Sequence, residues 1–298
     1  MVVATTPWVE SMRIGVVFPQ TELGGDPGAV RAFATAASEL GYEHIAVFDH
    51  VVGADPAVHR GWSGPYDVHT TFHEPFVLFG YLAAVTSLEL VTSVVILPQR
   101  QTVLVAKQAA EIDLLTHGRL RLGVGLGWNE VEYEALGQNF SDRGARLTEQ
   151  VALLRRLWTE TSVTVTGDHE HVTGAGIAPL PVQRPIPVWI GARADVALRR
   201  AGRIADGWFP MDQPGPALAR STAIVHAAAE QAGRDPAALG MEGRISLGPN
   251  SSSSIDQQVE AWRDAGATHL SINTMRAGFS TVDEHIAALA SASHAVLR

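Results

Sequence analysis

A single (β/α)8 barrel, with one inserted hairpin and a long loop after the second strand, is the α/β fold class that the sequence predicts. Three observations lead there. Short β-branched apolar runs alternate with amphipathic stretches, eight strands each lead into a helix, and neither a linker nor an internal repeat divides the chain. With 298 residues, 46% of them hydrophobic, there is enough apolar side chain to bury one large core. Residues 1–11 are expected to be a flexible N-terminus and 12–298 one domain.

Met12 to Phe18 (MRIGVVF) reads as the first strand, ended by Pro19; Asp26-Pro27 has N-cap and N1 chemistry for a helix to Leu40, with Gly41 as its cap. His44 to Phe48 is the second strand and runs into Asp49-His50. Val51 to His73 is too long for a routine strand-to-helix loop and is therefore a candidate lid or substrate loop. Pro75 opens a helix to about Ser87. The run LVTSVVIL, Leu90 to Leu97, is short and β-branched, as a strand buried on both faces should be. Thr102 suits an N-cap, Val103, Ala106, Ala110 and Leu114 follow at helical spacing, and His117-Gly118 closes that helix.

Arg119 to Val124 is strand four. Two strands joined by one helix with no hairpin turn are parallel, so the carboxyl ends share one side, where a barrel builds its site. A helix starts at Asn129, and another from Arg143 to Trp158 carries the stripe Leu147, Val151, Leu154, Trp158. Ser162 to Gly176 alternates like a hairpin outside the main layer. VWIGA at 188–192, Asp206 to Phe209, Met241 to Leu247 and Thr268 to Asn273 complete the strands. Helices from Ala194, Pro216, Ile255 and Thr281 complete the barrel wall.

Composition narrows the function. The formal net charge is −9 and no basic face is clustered, which argues against nucleic acid or an anionic membrane as partner. The absence of cysteine excludes disulfides, thiolate metal sites and cysteine nucleophiles. Neither a signal-like N-terminus nor a membrane-length apolar run is visible, and the expected location is cytoplasmic.

Asp49-His50 stands at the catalytic end of strand two. An imidazole there can carry a proton at neutral pH and the carboxylate can bond a ligand's N–H edge; the alternative is that His50 caps a loop. Gly123, Gly125 and Gly127, followed by Trp128 and Asn129, lack dinucleotide-fingerprint spacing. They read as backbone facing a flat ring, with close packing at the rim as the alternative. Gly191-Ala192-Arg193-Ala194 opens a helix and serves either as an anion site or as a tight helix start. His73 is placed at the pocket mouth, although Glu74-Pro75 beside it also reads as helix-start chemistry. Asp168-His169-Glu170-His171 has metal-like spacing but no further ligands and reads as a solvated hairpin, so no metal site is expected.

The segments MRIGVVFPQ, AVFDH, TSVVILPQRQTVLVAKQAAEIDLLTHGRLRLGVGLGWNEVEYEALG, PIPVWIGA and RAGRIADGW together resemble the bacterial luciferase-like monooxygenase superfamily, most closely its oxidoreductases dependent on coenzyme F420. The resemblance implies a flavin-like ring in the barrel mouth, with Asp49 and His50 facing ring and substrate and His50 as proton source. It also implies a non-proline cis peptide within Ser93, Val94 and Val95, pyrimidine-edge contacts from Leu126, Gly127, Trp128 and Asn129, and a phosphate turn at Gly191, Ala192, Arg193 and Ala194. The expected reaction is hydride transfer between the deazaflavin C5 and a small organic substrate. Trp62, Tyr66 and His73 are the substrate-side candidates, and an aromatic substrate suits them. A homodimer paired through helices beside strands two to four is implied, as is a cofactor-reducing enzyme as functional partner.

The alternatives are an FMN-dependent two-component monooxygenase and a barrel that binds a flavin-type ligand without turnover. Against the sugar-phosphate dehydrogenases of the F420 branch, this chain has Ala54 where they carry tryptophan. It has Trp128 and Asn129, with Glu130 only nearby, where they carry a glutamate. Its only lysine, Lys107, lies in the barrel wall, so glucose 6-phosphate is not the expected substrate.

Overall fold

The computed structural model describes residues 12–248 and 254–297; the expectation for residues 1–11 falls outside them. Chain order is β1 Arg13–Val17, α1 Pro27–Glu39, β2 His44–Val47, α2 Pro75–Leu82, β3 Glu89–Thr92, β4 Val95–Ile96, α3 Thr102–Leu115, β5 Leu120–Gly125, α4 Glu130–Ala135 and α5 Arg143–Thr159. The hairpin β6 Val163–Thr166 and β7 His171–Ala175 follows, then β8 Val188–Ala192, α6 Asp195–Ile204, β9 Gly207–Pro210, α7 Pro216–Gln231, β10 Gly240–Ser246, α8 Ile255–Asp264, β11 His269–Asn273 and α9 Val282–Val296.

The sheet runs β3-β2-β1-β11-β10-β9-β8-β5-β4 with β3 also paired to β5, so it closes. Every barrel pairing is parallel, and β3 and β4 are two halves of one stave, giving eight staves in all. The antiparallel hairpin stands outside the barrel as expected. Asp26 caps α1 through Gly28 N, Ser254 and Thr281 form capping boxes on α8 and α9, and the stripe of α5 is wholly buried.

Four local expectations are corrected. Leu90 to Leu97 is not one strand: it breaks at Ser93-Val94, whose peptide is cis, within the span expected for such a bond. Thr102 is the first helical residue of α3 rather than its cap. Its Oγ1 donates to Glu170 Oε1 (2.7 Å) and accepts from Gln150 Nε2 (2.9 Å). The buried face of α3 is Val105, Ala106, Ala109, Ala110 and Ile112, rotated away from Val103, which is exposed. Glu170 turns inward to meet Thr102, so the hairpin is not solvated throughout; burial pushes its carboxyl above the ordinary range.

The main core lies between staves and helices, whereas the barrel interior is layered. Its apolar middle is Val17, Ala46, Val91, Trp189, Phe209 and Met275. Beneath, at the amino ends of the strands, sits an ionic floor. Arg121 binds Glu242 (Nη1–Oε2, 2.5 Å) and Glu89 (Nη2–Oε2, 3.2 Å), Arg13 reaches Glu89 (3.2 Å), and His44 Nε2 lies 3.1 Å from Glu242 and 3.0 Å from Ser271 Oγ. Arg121 also lies over the Trp189 ring at 4.3 Å. Burial opposes the charge on Glu242, yet Arg121 and His44 hold its carboxyl well below the ordinary range. Removing one partner from such a network costs about 3–5 kcal/mol, because it strands the other charge.

Candidate active site

At the carboxyl end of the barrel, Trp128 and Tyr66 of the predicted residues lie against His50, and Trp62 packs on Trp128. The imidazole follows β2 directly, and its Nδ1 lies 3.0 Å from Glu132 Oε1. Both side chains are almost wholly buried. Glu132 arrives there because Gly127 turns the chain at φ +67° after β5, and Asn129 Oδ1 then caps α4 by accepting from Val131 N and Glu132 N. Tyr133 Oη pins the turn by donating to Leu126 O at 2.6 Å.

Glu132 is the candidate site residue that sequence reasoning missed. Its oxygens accept from His50, Val51 N, Val52 N and Gln99 Nε2. Burial alone would raise its pKa, but the His50 and Val51 hydrogen bonds bring it below the ordinary carboxylate value. With Nδ1–H donated to that carboxylate, Nε2 carries the lone pair of the neutral ring. Nε2 is buried and has no hydrogen-bond partner. The available signal was a carboxylate on the inward side of a short helix just after the glycine turn.

Aromatic rings surround the imidazole. Trp128 stacks on it (centroids 6.0 Å apart, 28°), with Phe72 at 5.2 Å and Tyr66 at 5.6 Å. Trp62 packs on Trp128 at 5.6 Å and donates from Nε1 to Tyr66 O. The loop from Val51 to His73 is thus folded over His50. Trp128 remains 45% exposed. Ala54, where the resemblance led to an expected difference from the sugar-phosphate dehydrogenases, is buried within the same loop, and its carbonyl accepts from Val68 N.

Other predicted residues fall differently. The His73 side chain is engaged within the protein: Nε2 lies 2.9 Å from Gly24 O, the ring meets Phe18 edge-on, and the backbone N–H donates to Gln20 Oε1. It ties two loops together, because Glu74 next to it caps α2 by accepting from Val77 N and fixes the local direction. Asp49 is also engaged within the protein. Its oxygens accept from Ile96 N (3.1 Å) and Arg100 Nη2 (2.8 Å), so the carboxylate braces the broken third stave. Arg100 bridges Asp49 and Glu74, which hold its pKa up against burial. Asn129 spends its side chain on capping, which leaves the backbone of the turn for any ligand.

The glycine-rich strand is packed from within. A Cβ on Gly123 would stand 1.8 Å from Thr92 O, and one on Gly125 would stand 2.5 Å from Val94 Cγ2. Val94 also lies against Gly191, with 3.3 Å to a Cβ built there. These glycines therefore accommodate the bulge at Ser93-Val94, the reading that had been the alternative, and the half-exposed Ser93 and Val94 form the surface presented to the mouth, with Val95 buried behind. At the start of α6, Ala194 provides no side-chain cap, so its first amides are open, and Arg193 is exposed beside them. Among the described residues no cluster could hold a metal ion, and no helix is long and apolar enough to cross a membrane.

The fold and the mouth define a parallel (β/α)8 barrel with a carboxylate-oriented histidine at its carboxyl-end rim. The luciferase-like monooxygenase family model matches residues 12–295, and the chain belongs to that family. An F420-dependent glucose-6-phosphate dehydrogenase from Gordonia bronchialis is 35% identical over 238 residues, covering 76% of this chain and 66% of that protein; the chain thus spans just under two thirds of that relative's length. Similar solved structures include an F420-dependent secondary alcohol dehydrogenase in complex with an F420-acetone adduct (TM-score 0.78, 16% identity, 96% of this chain and 99% of that one). Another is the coenzyme F420 dependent tetrahydromethanopterin reductase from Methanopyrus kandleri (TM-score 0.76, 13% identity, 97% and 99%).

Proposed function

We propose that this protein is an F420-dependent oxidoreductase in which His50 exchanges a proton with a small organic substrate while a hydride passes between substrate and cofactor. The observation that carries the reading is His50 itself: Nδ1 is held by Glu132, and Nε2 is buried, unpartnered and ringed by Trp128, Tyr66 and Phe72. A buried ring nitrogen without a partner is costly unless a ligand uses it. When bound, F420 gives or takes a hydride at ring carbon C5.

The chain's own residues do the rest. Nε2 takes the proton that a substrate O–H or N–H releases as its neighbouring carbon loses hydride, and returns it in the reverse direction. Glu132 stabilises the imidazolium so formed and keeps the ring in one orientation. The loop carrying Trp62, Tyr66 and Phe72 excludes water, which strengthens each of these interactions. Ser93, Val94 and the backbone of Leu126 to Trp128 offer a surface for a flat ring, and the open amides after Gly191 and Ala192 with Arg193 suit a phosphate. Those features fit F420 and support it as cofactor. The names of the similar proteins support the same cofactor. Glucose 6-phosphate is a poor fit as substrate, because Lys107, the only lysine, lies in α3 and donates to Ala178 O.

A homodimer through α2 and α3 belongs to the same proposal. Val77 on α2 is 74% exposed and Val103 and Leu104 on α3 are exposed as well, apolar surface that a second copy would cover.

Titration of the apoprotein with oxidised F420 and separately with FMN, read by fluorescence, tests the cofactor; preference for FMN overturns the reading in favour of an oxygenase. His50→Ala should leave F420 affinity within a few-fold and lower turnover by about 10²–10⁴-fold. Turnover near the wild-type rate would remove His50 from the chemistry.

A further inference from the structure

Arg244 lies on the inward side of β10, two residues above Glu242 of the ionic floor, and points into the barrel mouth. Its guanidinium sits over the Phe48 ring, 5.4 Å from the centroid, directly before Asp49 and His50. Tyr66, which packs against His50, is close enough to act on its charge. Among the described residues Arg244 makes no hydrogen bond and has no carboxylate within ion-pair reach, unlike Arg100 and Arg121, which each hold two. Burial pushes its pKa down, the direction expected of a cation without a partner.

A desolvated, unpaired guanidinium destabilises a fold, so its presence in a ligand mouth needs another reason. We propose that Arg244 recognises a carboxylate on the substrate, and that the substrate class is an aromatic or conjugated carboxylic acid. This deepens the oxidoreductase reading and rests on it for the word substrate. Three observations favour a carboxylate over a phosphate. The planar fork of one guanidinium matches a carboxylate bidentately. Arg276, the cation beside Tyr66, is already committed: its Nη2 donates to Pro65 O and it lies 4.9 Å over the Tyr66 ring, so it is not free to join Arg244 on a dianion. The flanking surfaces, Phe48 and Tyr66, are aromatic and suit a planar body attached to the acid. Ser246, next on the same side of β10, accepts from Asn273 Nδ2 (3.1 Å) and keeps its hydroxyl hydrogen to give.

The probes are benzoate and its neutral analogue benzamide, titrated calorimetrically against the full chain with and without F420. Benzoate should bind the wild type at least 10-fold tighter than benzamide. Arg244→Met should weaken benzoate about 10- to 100-fold, as expected for loss of a charge-assisted pair, while leaving benzamide and F420 affinities within about twofold. Arg244→Lys, which keeps the charge and loses the fork, should fall between, and it carries the test if the methionine variant does not fold. Arg244→Met should also melt no lower than the wild type, since it removes a buried unpaired charge; a purely structural arginine would lower the melting temperature.

The proposal is overturned if benzoate and benzamide bind alike, if Arg244→Met leaves benzoate affinity unchanged, or if F420 affinity falls in parallel, which would assign the arginine to the cofactor's acidic groups. Should F420 fail to bind the wild type, the oxidoreductase reading falls. The benzoate series on the apoprotein would still decide whether Arg244 is an anion site.

Discussion

Replacing Glu132 separates the two things that its carboxylate does. In Glu132→Gln, the amide oxygen can still accept from His50 Nδ1 and Val51 N. The new NH2 can donate to Gln99, whose Oε1 has no partner in the wild type and which need only flip its amide. Geometry is kept and charge is lost, so unfolding free energy should change by less than about 1.5 kcal/mol. The imidazolium loses its counter-charge, a difference between a charged and a neutral hydrogen bond of about 1–2 kcal/mol, so turnover should fall by roughly 5- to 30-fold. In Glu132→Ala two buried donors, His50 Nδ1 and Gln99 Nε2, are left without acceptors, at about 1–3 kcal/mol each, giving about 2–6 kcal/mol in all. Urea unfolding of the three proteins, with F420 turnover on the wild type and Glu132→Gln, checks both figures. If Glu132→Ala unfolds within about 0.5 kcal/mol of the wild type, the carboxylate does not organise His50 and the site must be redrawn.

Stability should also fall with acid before any carboxylate titrates. His269 in the barrel floor is held far below the ordinary imidazole pKa by burial and by Arg121 and His44, with Glu242 opposing, and burial lowers His285 too. Their folded pKa values are depressed, so the unfolded chain binds the extra protons. Stability is therefore fully present above about pH 6.5 and should decline below it by about 1.4 kcal/mol per pH unit for His269 alone and up to about 2.7 with His285. Urea melts at pH 7.5, 6.5 and 5.5 read this directly, and a flat profile would mean that His269 is protonated in the fold. Gly125→Ala should destabilise by about 1–3 kcal/mol through its clash with Val94, and Val94→Ala in the same chain should recover most of that. Gly123→Ala should cost more and resist rescue, since the obstacle is the Thr92 carbonyl; thermal melts of the set give the order.

The barrel was legible because its signals are local: the alternating runs, Asp26-Pro27 before α1, the apolar stripe of α5 and the turn between β6 and β7 each follow from neighbours in the chain. Errors arose where a distant partner decides. Thr102 has an N-cap's chemistry but is claimed by Glu170 and Gln150, and α3 turns its buried face accordingly. His73 is drawn to Gly24 O, and the glycines of β5 are filled by Val94 and Thr92 from another stave. Glu132 and Arg244 look like ordinary surface charges in the sequence. Only closure of the barrel puts one under His50 and leaves the other facing Phe48 without a partner.

The ionic floor gives the barrel a sealed base. Arg121, Glu89, Glu242 and His44 fill the amino end of the interior, and the Trp189 ring covers Arg121. The molecule is a cup, with one rim for everything that enters or leaves. Any two compounds that meet beside His50 share that opening, and the one nearer the floor must arrive first and depart last. Queueing at a single doorway, rather than any communication between sites, would by itself impose an ordered kinetic sequence on the proposed reaction.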